Sequence, residues 1–419
     1  MRRSLALLVA LSLLGLGAGV AVRAQSAIEV TNSAAESSFP QGIVFTLDAT
    51  AGGSIDDVRL VYQIAPDGVR TTAVPQCSSG ASVHCSFTFA NTMRSSLIPG
   101  AKVTYFWRVS AGGETVESPP QMVIYEDSRF DWETMTDRNV TIWWYSGGED
   151  RARAVLQAGI ESLTQNSALL KTQVTFPVKI FYYASAQAMQ PAILAENAEG
   201  VITLGEVAYS DTAMVAADAE PEDIARHEVA HIVIRQAVRG PYEGNVPAWL
   251  SEGLAVYSQS APLGGQRRAI ESAIESGDVI SVRSLSSASS GALSDRVLLF
   301  YGESWSLVKF LLDGYGEEAF AQLFAELKQG ATTAQALRQV YGFDQDGLEN
   351  AWRESVGLPP REPLTPQTSA GATPSPAPVD ASADDAGAST GLIVAIIAVT
   401  VAFAGALGGA GILLARRYR

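Results

Sequence analysis

His227-Glu228-Val229-Ala230-His231 sets two imidazoles four residues apart around a carboxylate, in a chain that has only 3 histidines. On a helix, residues four apart share a face, so both rings can reach one ion. Glu228, about 100° round the axis, then points at a water on that ion. Given 3 His and 44 acidic residues in 419, roughly 0.002 matches to His-acid-x-x-His are expected by chance. That weakens the bland alternative of two surface histidines on an ordinary helix. The flanks also favour a helix. Pro221 suits a first turn, Glu222 and Asp223 favour its positive end, and Ile224, Val229 and Ile232 supply apolar contacts.

Catalytic zinc normally takes three protein ligands and leaves one position open. Downstream stands Val246-Pro247-Ala248-Trp249-Leu250-Ser251-Glu252-Gly253-Leu254-Ala255, with Glu252 on a helix started by Pro247. The remaining histidine, His84, lies far upstream among β-type runs, so a carboxylate must complete the set. One Zn2+ per chain, held by His227, His231 and Glu252, is the expectation. Trp249 and Tyr257 are assigned to the core rather than to a pocket.

These two elements resemble the peptidase MA-like zinc metallopeptidases of the gluzincin clan, which read His-Glu-x-x-His and then Trp-Leu-x-Glu-Gly-x-Ala. Pro247, Trp249, Leu250, Glu252, Gly253 and Ala255 match the second element, and the likeness runs from about Asn139 to Gly357. It implies hydrolysis of peptide bonds by water that the ion activates, with Glu228 as general base. It also implies a Tyr or His donor at the developing oxyanion. With no histidine left, Tyr301 is the candidate. The preceding strands, around Gly200 to Ala217, would then pair with an extended peptide or protein substrate. One departure is Val256, four residues after Glu252, where thermolysin-like members place an acid that orients an imidazole.

The elements that must hold these residues fall into two folded units. From Ile28 to Tyr125, short β-type runs such as Val103-Thr-Tyr-Phe-Trp-Arg-Val alternate with turn residues, which predicts an all-β sandwich over 27–126, similar in architecture to fibronectin III and immunoglobulin modules. Strand-like runs at 140–145, 178–183, 201–204 and 213–217 and a helix from about 150 to 163 precede a helical half from Pro221, so 130–358 is expected to be an α+β domain of gluzincin type. Residues 359–390, rich in Pro, Ala, Ser and Thr, form a disordered tether.

Both ends carry targeting signals. Residues 1–24 have the basic start, apolar run and small-residue cleavage site of a signal peptide, with an uncleaved anchor as the alternative. Residues 391–415 carry no charge and are long enough for a transmembrane helix, and the basic tail 416–419 belongs inside. The expectation is an exported chain anchored in the cell membrane through that C-terminal helix, with its ectodomain outside. In such a compartment Cys77 and Cys85 form a disulfide; a Cys77-His84-Cys85 metal site lacks a fourth ligand. The net charge of −15, with no basic stripe outside the termini, excludes a nucleic-acid partner. The partner of the β-domain is not readable. A surface-anchored scaffold with a weak or single-substrate metallopeptidase domain is the competing function.

Overall fold

The computed structural model describes residues 28–65, 68–92, 97–193, 203–209, 211–242, 244–287, 296–361 and 399–400. The expected signal peptide, the tether beyond Arg361 and the basic tail lie outside the described residues. So does the expected membrane span, apart from Val399–Thr400, which pair antiparallel with a strand named below. Among the described residues no helix is long and apolar enough to cross a membrane.

The N-terminal region is mostly β. One antiparallel sheet has the order β1 (Glu29–Ser38), β2 (Gly42–Thr50), β6 (Ser82–Ala90), β5 (Gln76–Cys77). The other runs β4 (Thr71–Ala73), β3 (Ile55–Ala65), β7 (Ala101–Ala111), β8 (Glu114–Glu117), and β9 (Gln121–Tyr125) also pairs with β7. Val103, Tyr105, Trp107 and Val109 of β7 are all buried, as strand alternation demands. The Phe45 ring of β2 meets the Tyr105 ring of β7 edge-on at 5.0 Å, so the two sheets share one core. Cys77 and Cys85 are bonded to each other across β5 and β6.

The second sheet-bearing region is α/β. Its sheet has the order β10 (Glu133–Asp137), β11 (Val140–Trp144), β12 (Val178–Tyr183), β14 (Thr212–Ala216), β13 (Thr203–Tyr209), and Val399–Thr400 pair with β13. β11, β12 and β14 are parallel, and helix α1 (Glu149–Leu169) makes the crossover that parallel neighbours require. Sheet and helices are therefore interleaved here, and not laid down one after the other as the strand-like runs lead one to expect. Every residue of β12 is buried, which fits a strand covered on both faces.

The two regions meet through buried polar contacts. Lys179 of β12 reaches Asp211 at 2.8 Å and the carbonyl of Gly100, just before β7, at 3.0 Å. In the connecting segment, Asp127 accepts from Tyr183 at 3.0 Å and pairs with Arg129, whose guanidinium lies 4.7 Å over the Phe39 ring.

After the short α2 (Ala186–Met189) come α3 (Pro221–Val238), α4 (Ala248–Tyr257), α5 (Gly264–Ser276), α6 (Val282–Leu285), α7 (Val297–Lys328, kinked at Gly316), α8 (Thr333–Tyr341) and α9 (Gln345–Ser355). Two buried carboxylates secure the strap that leads into α6. Glu303 of α7 accepts from the Ile280 N–H and Glu349 of α9 from the Val282 N–H. Arg361 pairs with Glu349 and donates to the Val279 carbonyl, and Pro359 accepts from Arg353. Pro359 and Arg361, which composition assigns to the tether, are thus hydrogen-bonded to the domain.

Candidate metal centre

Helix α3 begins with Pro221 in its first turn, where a missing N–H costs nothing, and Glu222 and Asp223 sit at its positive end. Asp223 also accepts from the Ser260 N–H at 2.9 Å and its hydroxyl at 2.6 Å, which ties the start of α3 to the segment after α4. Ile224, Val229, Ile232 and Val233 bury one side of the helix. Its polar residues are no less enclosed: His227, Glu228 and His231 are 1%, 0% and 7% exposed. Burying so many polar groups is costly unless a partner compensates them.

Helix α4 brings that partner. Trp249 is fully buried beneath it, as expected, whereas Tyr257 ends the helix 39% exposed and is not core. The helix lies against α7 so closely that a Cβ on Gly253 would stand 2.2 Å from the Ser304 carbonyl oxygen. Only glycine allows this approach, and the neighbouring Glu252 faces the histidines of α3.

The outcome is a triangle of ligand atoms. His227 Nε2 and His231 Nε2 are 3.2 Å apart, and Glu252 Oε2 lies 3.4 Å from the first and 3.6 Å from the second. Among the described residues this is the one group of His, Cys, Asp and Glu able to hold a metal ion. Three tetrahedral ligands, each about 2.0–2.1 Å from a zinc ion, would be separated by about 3.3 Å. The Glu252 carboxylate is fully buried and makes no hydrogen bond of ordinary length among the described residues, which an ion between these atoms would remedy. The residues present therefore fit zinc.

Protonation states agree with that fit. Burial pushes the His227 imidazole below its usual range, toward the neutral form that can ligate. Burial alone would raise Glu252, but the facing imidazoles, His231 foremost, hold its carboxyl down to about 2.

Tyr301, near the start of α7, is buried with its ring centroid 6.4 Å from that of His227, so the structure brings it to the same site. His84 is remote in the β-region and pairs with Asp48 at 2.7 Å; with both neighbouring sulfurs bonded to each other, no metal site forms there.

One residue of the site escaped the sequence reading. Ser251 Oγ lies 3.1 Å from His231 Nδ1, both buried. Val256, in the place where thermolysin-like members put an acid, is apolar and fully buried. Ser251 stands directly before Glu252, but spacing alone does not say which way a serine hydroxyl turns.

Comparison with known proteins adds independent findings. The sequence profile of the Peptidase MA superfamily matches residues 157–357, a stretch that contains His227, Glu228, His231, Glu252 and Tyr301. No curated protein matches the chain. Among solved structures, an aminopeptidase N family protein from Idiomarina loihiensis is 9% identical over 74% of this chain and 73% of its own, with a TM-score of 0.35. By the profile match and the motifs within it, residues 157–357 are similar to the peptidase MA superfamily.

Proposed function

We propose that this chain is a zinc-dependent peptidase whose ion is held by His227, His231 and Glu252, one per chain. The observation that supports it best is the buried triangle of two Nε2 atoms and one carboxylate oxygen with edges of 3.2, 3.4 and 3.6 Å. Zinc there would supply a Lewis acid for the scissile carbonyl and the attacking water.

The rest of the work falls to side chains. Glu228, on the same helix and fully buried, takes a proton from the attacking water and hands it to the leaving amine, with no covalent intermediate. The Tyr301 hydroxyl donates to the oxyanion that develops at the carbonyl; in so enclosed a site such a donor is worth far more than in water. The substrate is a peptide or protein, pairing as an extended strand beside β13 and β14.

The proposal extends to location and architecture. The export signal at 1–24, the uncharged segment 391–415 and the basic tail 416–419 support a chain anchored in the cell membrane with its ectodomain outside. The strand sets β1-β2-β6 and β4-β3-β7, the latter continued by β8 and β9, support a fibronectin III- or immunoglobulin-like module.

Elemental analysis of the purified full chain and digestion of a peptide library, with and without chelator, test the reading. About one zinc per chain and chelator-sensitive cleavage are expected. Metal-free wild type overturns the proposal, and a zinc-loaded chain that cleaves nothing puts a membrane-anchored scaffold in its place.

A further inference from the structure

We propose that Ser251 is the positioning residue for the metal-binding histidine His231, a role that its hydroxyl takes over because Val256 offers no acid. This rests on the metal reading above and assigns the site a member that the family motif leaves as a wildcard.

Three observations converge on it. The hydroxyl oxygen stands 3.1 Å from His231 Nδ1, with Ser251 and His231 both buried. His231 faces the triangle through Nε2, so Nε2 must carry a lone pair and the ring proton must sit on Nδ1. A hydroxyl can accept that proton as a hydrogen bond, which fixes the plane of the ring and favours the tautomer whose Nε2 lone pair faces the triangle. Ser251 and Glu252 are consecutive on α4, so one helix supplies a metal ligand and the group that orients another ligand. α3 and α4 are thereby coupled at two adjacent points.

The choice of a neutral acceptor has a chemical meaning. A carboxylate on Nδ1 would make the imidazole more basic and a stronger donor to the ion. A serine hydroxyl orients the ring without adding negative charge. The site then has a single anionic ligand, Glu252, and the ion keeps more of its Lewis acidity. Such a site binds zinc less tightly than an acid-oriented one and relies on burial for retention. The two histidines also differ, because His227 Nδ1 has no hydrogen-bond partner among the described residues although it is buried. His231 is then the ring whose orientation is fixed in advance.

The test uses the full chain in detergent, labelled with 15N-histidine; with only 3 histidines each ring can be assigned by single substitutions. In metal-free wild type, His231 should show the Nδ1–H tautomer. Ser251→Ala should give a mixture of tautomers and weaken zinc binding by about 10- to 100-fold, measured by competition with a chromogenic chelator. Ser251→Thr, which keeps the hydroxyl, should restore both. Far-ultraviolet circular dichroism should not change in either variant. A pure Nδ1–H tautomer and unaltered zinc affinity in Ser251→Ala would overturn the assignment, as would failure of Ser251→Thr to restore the tautomer in a folded chain. Absence of zinc from the wild type would instead sink the metal reading, and the tautomer of the metal-free chain would still decide the Ser251 contact.

Discussion

Gly253 faces the backbone carbonyl of Ser304 at a distance that leaves no room for a side chain: a Cβ would lie 2.2 Å from the oxygen. The glycine of the Trp-Leu-Ser-Glu-Gly element is therefore a packing requirement between α4 and α7, one residue from Glu252. Gly253→Ala must part the two helices, at a cost of about 1–3 kcal/mol for an overpacked core. It should lower the melting temperature and bring zinc content below one per chain. A variant with wild-type melting and full zinc would show that the approach is not needed.

Glu228 and Glu252 are both fully buried carboxylates at one site, but only Glu252 closes the triangle of ligand atoms. Glu228→Gln should keep zinc and lose about 10²-fold or more in turnover, the scale of a positioned acid-base group. Glu252→Ala should lose zinc, with activity partly recovered in excess metal. Wild-type turnover in Glu228→Gln would refute the assigned general base.

For Tyr301 the decisive comparison is kcat against metal content. Loss of an oxyanion donor costs about 10²- to 10³-fold in kcat, so Tyr301→Phe should fall in that range while zinc and KM hold. Equal loss of zinc and activity would make Tyr301 a packing residue.

Burial pushes the Glu303 carboxyl up to about 8, and nearby Glu349 adds to the rise while Arg296 and Arg361 oppose it. Between the ordinary glutamate value of 4.5 and about 8 the folded chain holds a proton that the unfolded chain has lost, so stability falls as pH rises through that window. The total is on the order of a few kcal/mol. Urea midpoints should drop between pH 5 and pH 8 in wild type, and the slope should flatten in Glu303→Gln. Parallel slopes would show that Glu303 does not govern the dependence.

If the proposed topology is right, protease added to intact cells cuts between residues 362 and 390 and releases an active fragment. Protection until lysis would reverse the topology.

Much of this was legible in the sequence because its signals are local. α3 starts at Pro221 and ends at Val238 as its proline, first-turn acids and apolar positions dictate. The strands carrying Val103 to Val109 and Val178 to Tyr183 announce themselves by β-branched and aromatic residues. β1 did not, since Glu29-Val-Thr-Asn-Ser-Ala-Ala-Glu-Ser-Ser has little apolar bulk and is a strand by virtue of pairing with β2. The parallel pairing of β11 with β12 comes from the path of α1, and that of β12 with β14 is likewise a long-range fact. The two histidines of the triangle were legible because helical spacing puts them on one face of α3, whereas Glu252 stands on α4 and was read from its own sequence element. Ser251 was not, because its role depends on how α4 is set against α3.

Arg361 has a mechanical side. Its backbone N–H donates to Asn350, and its side chain holds Glu349 and the Val279 carbonyl. Tension along the chain beyond it would load those contacts first, then the strap whose Ile280 N–H rests on Glu303. Glu303 is two residues from Tyr301 on α7, so a pull from the C-terminal side would be felt at the helix of Tyr301 before it reached the helix of the two histidines.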